Sequence, residues 1–358
     1  MSRIQTSARI RSLVTELASY GLAIGLLYLA LRGVDLRLLG QALRSVNPAW
    51  LVPLAVVVYA SHWLRAWRWR IMIDSLPNSA SHRISTAKLF GALMAGYMTN
   101  YVAPRVGELV RTSIASRLSG QRFLSILGTV VAERILDMVS LALALVSVYF
   151  LLADRLHVLA SQIALPKPGI GLLVAAGILV IAVVVVVILA RRSRAGDKVR
   201  KLIRSFTEGI QTIVRSPKPH ALLLTTIAMW ACYLLMAYIP LRMLGMVGEF
   251  GLGLRDAWSL MNLGALGVVV PAPGGTGTYH YITQISLTQI WDVPAASAAA
   301  YAILTHAIQM LLYAGAGFAS LLVLGIGIRS ILPTQLLQQS ESDQNQRPER
   351  PESRQSDR

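Results

Sequence analysis

Six apolar runs dominate this chain: Leu13–Leu31, Trp50–Leu64, Phe123–Leu152, Ile170–Ala190, Ala221–Leu244 and Ala295–Ile328. They are continuous and close to the ~20 residues that a helix needs to cross a bilayer. They lack the roughly ten-residue alternating segments of a membrane β-barrel. The 358 residues are 54% hydrophobic and only 14% charged, where soluble domains carry about 25% charged residues. Mean hydropathy is +0.56. The expected fold class is an all-α integral membrane protein with about six full spans. The first run is too long for a signal core and lacks a small-x-small cleavage site. Cys232 is the single cysteine, so no internal disulfide forms, and its plain role is that of a small buried apolar residue.

Two further apolar segments are interrupted. Leu89–Val110 carries Thr99-Asn100-Tyr101-Val102-Ala103-Pro104-Arg105-Val106-Gly107-Glu108, and Leu260–Leu287 carries Pro271-Ala272-Pro273-Gly274-Gly275-Thr276-Gly277. Hydrocarbon cannot hydrogen-bond free backbone groups, so irregular backbone at membrane depth persists only under cover of protein or beside a wet cavity. A pair of Gly/Pro-interrupted segments, one in each half of the chain, points to a transport site. Both are expected to be re-entrant hairpins.

Charge supports that topology. The basic loop Arg191–Lys218 belongs in the cytoplasm by the positive-inside rule. If each interrupted segment enters and leaves on one side, both termini are cytoplasmic. About 26 of the 34 Lys and Arg then face inward. The first hairpin dips in from the cytoplasm and the second from outside, as an inverted repeat requires. At sequence level that repeat is faint: Met98-Thr99-Asn100 precedes Pro104, and Met261-Asn262 precedes Pro271. Lys198–Ile213 reads as an amphipathic surface helix. Residues 1–331 are expected to form the membrane domain and 332–358 a disordered polar tail with no soluble catalytic domain. The net charge of +17 fits anionic headgroups rather than nucleic acid, for which no signature is present.

Several polar residues sit where lipid disfavours them. Pro273, Gly274, Gly275 and Gly277 allow a sharp turn, with Thr276 or Thr278 capping a helix from Tyr279 to Ile290. A helix N-terminus there suits a phosphate, and a plain interhelical loop is the bland alternative. Arg105, Glu108 and Arg111 offer either a headgroup site, with arginine forking phosphate oxygens, or an interfacial salt bridge. Glu133, Arg134 and Asp137 lie inside an apolar run. They fit a structural network tied to Arg105 or Arg111, or substrate or proton coupling. Arg65, Arg68 and Arg70 alternate with Trp63, Trp67 and Trp69, the composition of an interfacial belt or of headgroup selection. His280, His306 and Gln309 read as helix–helix hydrogen bonds or proton carriers. No Walker loop, H-E-x-x-H, metal-spaced Cys/His set or D-x-D pair occurs, so no catalytic residue, metal or cofactor is expected.

Taken in order, Arg65–Ile73 with its Arg-x-Trp-Arg core, Asn100-x₃-Pro104-Arg105-x-Gly107-Glu108-x₂-Arg111, Glu133-Arg134-x₂-Asp137 and Pro271-x-Pro273-Gly274-Gly275-x-Gly277 form a set. Over about residues 10–330 the chain resembles the lysylphosphatidylglycerol synthase transmembrane, or flippase-like, family. The resemblance implies a bacterial cytoplasmic-membrane protein containing re-entrant helices. In two-domain members the corresponding region looks like a flippase for aminoacylated phosphatidylglycerol. No aminoacyl-transferase domain is expected beside this region, and His280 stands where many members have Glu. The expected function is a flippase or transporter for a phosphate-bearing lipid, anionic or aminoacylated. Substrate contacts are expected from Asn100, Arg105, Glu108, Arg111, Glu133, Arg134, Asp137, Pro273, Gly274, Gly275, Gly277 and His280. Membrane phospholipids are the expected partners, with a homo-oligomer as an open alternative. A membrane-embedded transferase, with Glu108 and Asp137 as its candidate pair, or an envelope scaffold are the competing readings.

Overall fold

The computed structural model describes residues 20–21, 24–77, 84–103, 106–153, 207–209, 211–269 and 272–326. The expected span Ile170–Ala190, most of Leu13–Leu31, most of the surface helix Lys198–Ile213, Arg105 and the tail lie outside them. Among the described residues the elements are helical. They are α1 (Leu36–Arg44), α2 (Leu51–Asp74), α3 (Thr86–Val102), α4 (Val106–Ser119), α5 (Phe123–Leu151), α6 (Pro219–Met243), a short α7 (Met246–Glu249), α8 (Leu254–Val269), α9 (Thr278–Ile290) and α10 (Ala295–Val323). Their starts carry the expected chemistry. Asp35 caps α1 through the N–H groups of Arg37 and Leu38, and Ser85 caps α3 through Lys88. Pro219 opens α6, where its missing N–H costs nothing.

Four long helices are apolar enough to cross a membrane: α2 with its preceding turn, α5, α6 and α10. Each coincides with an apolar run of the sequence. They carry outward-facing residues such as Leu143, Phe150, Leu224, Leu311 and Phe318, as a lipid-facing surface requires. The chain is a multi-pass membrane protein.

The interrupted segments fold as two helical hairpins, α3–α4 and α8–α9, and the long helices show how they lie. The start of α3 is tied to the end of α2 by a hydrogen bond from Arg70 to Thr86 Oγ1, 3.3 Å. The start of α8 is tied to the far end of α5, where Arg255 donates to the Leu151 carbonyl. α5 begins just after α4, and its 29 residues cover about 44 Å. The hairpin bases therefore lie at opposite ends of α5, and the hairpins point toward each other. Asn47 N–H donates to the Met243 carbonyl at 2.9 Å, which sets α2 antiparallel to α6. Leu324, just past α10, reaches Gly91 of α3, so α10 runs from the second base to the first.

Both hairpins use glycine to bring their arms into backbone contact. A Cβ on Gly96 would lie 2.7 Å from the Gly107 carbonyl oxygen, and one on Gly267 would lie 2.8 Å from that of Thr278. In each case the partner is eleven residues on, from 96 to 107 and from 267 to 278. This is a clearer repeat than the Met-Asn pairing of the sequence. It aligns Asn100 with Pro271 and leaves Asn262 as no counterpart of Asn100. Asn262 instead donates to the Trp258 carbonyl on its own helix.

Each hairpin base has its own apolar core. Trp69, Ile73, Leu89, Ala92, Val110, Ile114, Ile126 and Leu321 pack around the first. Leu241, Ala257, Leu260, Leu287, Trp291 and Ala298–Tyr301 pack around the second. Polar groups collect between these cores. On α2, Leu54 and Val58 precede the buried His62, Arg65 and Arg68, and Trp69 and Ile73 follow. On α5, Ile126 and Val130 precede Glu133 and Asp137, and Ala144 and Val148 follow. Asp137 stands fourteen residues from either end of α5, at its midpoint.

Candidate functional site at the meeting of the hairpins

A buried ion network occupies the middle of the helix bundle. Glu133 has no exposed surface. Its Oε1 pairs with Arg65 and lies 3.6 Å from Arg68 Nη2, and its Oε2 accepts from Arg111 Nη1 at 3.0 Å. Asp137 accepts from Arg68 at 2.5 Å and lies 2.9 Å from Arg65 Nη1. Glu108 bridges Arg111, at 2.7 Å, and Arg134. Four guanidiniums thus meet three carboxylates, a surplus of one positive charge. Arg111 Nη2 and Arg68 Nε are buried without a hydrogen-bond partner. The network is closed on the α2 side and open at Glu108, Arg134 and Asp137, whose side chains keep 27%, 39% and 20% of their exposure.

These contacts correct the belt expected of Arg65, Arg68 and Trp69. Trp63 and Trp67 do face outward, but Trp69 is fully buried. It donates to Thr129 Oγ1 at 2.9 Å, and Arg111 lies 5.0 Å above its ring. Positions 62, 65, 69 and 72–73 fall on one face at helical spacing, which turns half of the Trp/Arg stretch inward. Arg70 stays at the edge, 3.5 Å from Asp74.

Tyrosines and a histidine that sequence reasoning did not select surround the network. Arg65 donates to Tyr233 Oη from Nη2 at 3.0 Å. Tyr97 is near enough to Arg65, Arg111 and Arg134 to interact electrostatically. It stacks on Tyr313 with ring centroids 5.3 Å apart, and His62 lies 4.9 and 4.8 Å from those two rings. Neither ring nitrogen of His62 has a hydrogen-bond partner. The available signal was spacing: Tyr97 and Tyr101 are four apart on α3, as His62 and Arg65 are three apart on α2.

The hairpin tips meet beside this network. Gly274 has φ of +56°, and a Cβ there would lie 2.2 Å from Tyr101 Cδ1. The first tip is held by Asn100, whose Oδ1 accepts from Gly107 N–H at 2.8 Å. Asn100 therefore ties the α4 start to α3. The second tip is held by histidines. His280 Nδ1 accepts from Gly277 N–H at 3.3 Å, and His306 Nε2 lies 3.0 Å from the Gly274 carbonyl. Their ring centroids are 4.8 Å apart. Neither Thr276 nor Thr278 is the N-cap; Gly277 is, and Thr278 Oγ1 donates back to the Gly275 carbonyl. The expected glycine cradle loses donors for the same reason. Gly275 N–H goes to the Ala272 carbonyl, Thr276 N–H to that of Pro273, and Gly277 N–H to His280. Gln309 sits near Tyr313, with a long 3.5 Å contact. Of the twelve expected contact residues, Glu108, Arg111, Glu133, Arg134 and Asp137 form the network. Asn100, Pro273, Gly274, Gly275, Gly277 and His280 build the tips, and Arg105 is outside the described residues.

The family whose sequence pattern is described as lysylphosphatidylglycerol synthase TM region matches residues 17–317. The chain belongs to that family. The match takes in both hairpins, the whole ion network and the four long helices, the last of them as far as residue 317. No curated protein and no solved structure matches the chain. Membership connects this bundle with lipid chemistry at a membrane.

Proposed function

We propose that the protein is a flippase or transporter that moves a phosphate-bearing lipid across the bacterial cytoplasmic membrane. One observation carries the reading: two opposed helical hairpins touch tip to tip beside a buried, net-positive ion network. The arms support re-entrance. The 17, 14, 16 and 13 residues of α3, α4, α8 and α9 give lengths of about 26, 21, 24 and 20 Å, short of a ~30 Å hydrocarbon core. Opposed broken helices with a polar centre are the arrangement in which alternating access works, by rocking one half against the other.

In this reading the phosphate binds at the open side of the network, near Arg111 and Arg134, while the acyl chains stay in the bilayer. Guanidinium forks suit phosphate oxygens, which places the phosphate at the arginines rather than on the glycine turn. The first hairpin enters from the cytoplasm, because Arg70, Lys88, Arg117, Arg122, Arg215 and Lys218 all belong to that end. Both termini then face the cytoplasm, and surrounding phospholipids are the partners. The transferase alternative would use Glu108 and Asp137 as its pair, and both carboxylates are held by arginines. The test is reconstitution in liposomes with labelled anionic and polyprenyl phosphate lipids. Label should lose its leaflet asymmetry faster than in empty liposomes, and Arg111→Ala should abolish the gain. Rates equal to those of empty liposomes for every lipid would refute the proposal.

A further inference from the structure

Two imidazoles hold the second tip, and their roles are opposite. A carbonyl only accepts, so His306 Nε2, 3.0 Å from the Gly274 oxygen, carries a proton. A backbone N–H only donates, so His280 Nδ1, 3.3 Å from Gly277 N, meets it with a lone pair and keeps its proton on Nε2. Protonating His306 at Nδ1 leaves its bond intact. Protonating His280 at Nδ1 sets donor against donor and leaves the Gly277 N–H without its acceptor.

The surroundings oppose that proton as well. His280 is only 7% exposed and stands in the first turn of α9, where a helix start disfavours a cation. The titratable groups around the pair are the two rings themselves, 4.8 Å apart, Tyr279 on α9, which stacks on His306, and Tyr101 on α3. The α8 arm presents Val268 beside Gly275. Among the described residues no carboxylate hydrogen-bonds to either imidazole. We propose that His280 is a proton-operated latch on the second tip. Neutral, it caps α9 and keeps the turn closed with Gly274 against Tyr101. Protonated, it releases Gly277 and loosens that contact. This goes beyond the lipid-transport reading and stands on the geometry of the tip.

Linkage sets the sign. The closed tip accommodates only the neutral ring, so the open tip holds one proton more and acid favours it. Below the ordinary histidine value of about 6.5, each further pH unit raises the open-to-closed ratio by up to about tenfold. Two variants separate the imidazoles. His280→Gln retains an acceptor for the Gly277 N–H, as glutamine does in a capping box, and removes the titration. His306→Gln retains a donor for the Gly274 carbonyl and leaves the latch in place.

The test places a nitroxide on Thr276→Cys in the full-length Cys232→Ser protein, purified in neutral detergent. Label mobility is read by EPR from about pH 8 to about pH 5, the range in which histidine titrates. With His280 and His306 both present, the ratio of mobile to immobile label should rise about tenfold or more across that range. It should rise equally in His306→Gln and change less than about twofold in His280→Gln. Exchange of the Gly277 N–H in unlabelled protein, corrected for its intrinsic pH dependence, gives the same comparison without the label. A flat profile with both histidines present overturns the proposal, as does an equal rise in His280→Gln or a rise lost in His306→Gln. If the tip loosens in acid while liposomes show no flipping at any pH, the latch stands and the transport reading fails. Flipping with a flat label profile does the reverse.

Discussion

Glu133 offers the most direct energetic consequence of the network. The substitution Glu133→Gln keeps the shape of the side chain and removes its charge. In the native protein both carboxylate oxygens serve guanidiniums: Oε1 faces Arg65 and Arg68, and Oε2 faces Arg111 at 3.0 Å. Glutamine retains one acceptor oxygen, but its NH₂ then points at a guanidinium, donor against donor. The network is left with four cations and two anions. Removing one partner of a buried pair costs about 3–5 kcal/mol, because the remaining charges stay buried and uncompensated. Asp74→Asn is the matching control. Asp74 lies 3.5 Å from Arg70, and both side chains are more than one-third exposed. Exposed pairs contribute only about 0–1 kcal/mol. Thermal unfolding in detergent, followed by the fluorescence of the seven tryptophans, separates the two. At roughly 2 °C per kcal/mol, Glu133→Gln should lower Tm by about 6–10 °C, and Asp74→Asn by no more than about 2 °C. Equal shifts in the two variants would refute the reasoning.

Other substitutions probe the hairpins. Gly107→Ala places a methyl group 2.0 Å from the Gly96 carbonyl oxygen and 2.7 Å from Asn100 Oδ1. It should separate the arms of the first hairpin and reduce folded yield on size-exclusion chromatography, whereas Gly315→Ala, which meets nothing within 4 Å, should not. His280→Ala removes the acceptor of Gly277 N–H. It should cost about 1 kcal/mol, the value of a helix cap, seen as a Tm drop of about 2 °C, with faster hydrogen exchange at the second tip. Asn100→Ala should likewise cost about 1–2 kcal/mol by leaving Gly107 N–H unpaired, and exchange at the α4 start measures it.

Much of the fold is written in the hydropathy. Each described long helix coincides with an apolar run, and the Pro and Gly clusters mark both hairpin turns. The helix at Trp50–Leu64 extends to Asp74, beyond its apolar run. Its last turns contain arginines that hydropathy reads as a membrane edge and that packing instead buries against α5. A charge pattern alone does not say whether an arginine faces headgroups or a carboxylate on another helix. The partners of Arg65 and Arg68 lie about 70 residues away, on a helix whose rotation only packing sets. The spacing of Glu133, Arg134 and Asp137 did mark intramembrane charges that need partners. The glycine turn was legible as a turn but not as a closed one. The Gly275 and Thr276 N–H groups bond back within the turn, and that of Gly277 is taken by His280 folding back.

The contact between the two tips underlies the transport reading, and a disulfide tests it. Tyr101 Cγ lies 3.2 Å from where a Cβ of residue 274 would stand, which places the two Cβ atoms near the ~3.5–4.5 Å of a disulfide. In a Cys232→Ser background, Tyr101→Cys and Gly274→Cys should cross-link on mild oxidation in native membranes. A protease site introduced between the halves would then leave one band until reduction. Membrane-impermeant maleimide should label neither thiol from either face of sealed vesicles. Two separate bands after oxidation, with both thiols freely labelled, would contradict the account.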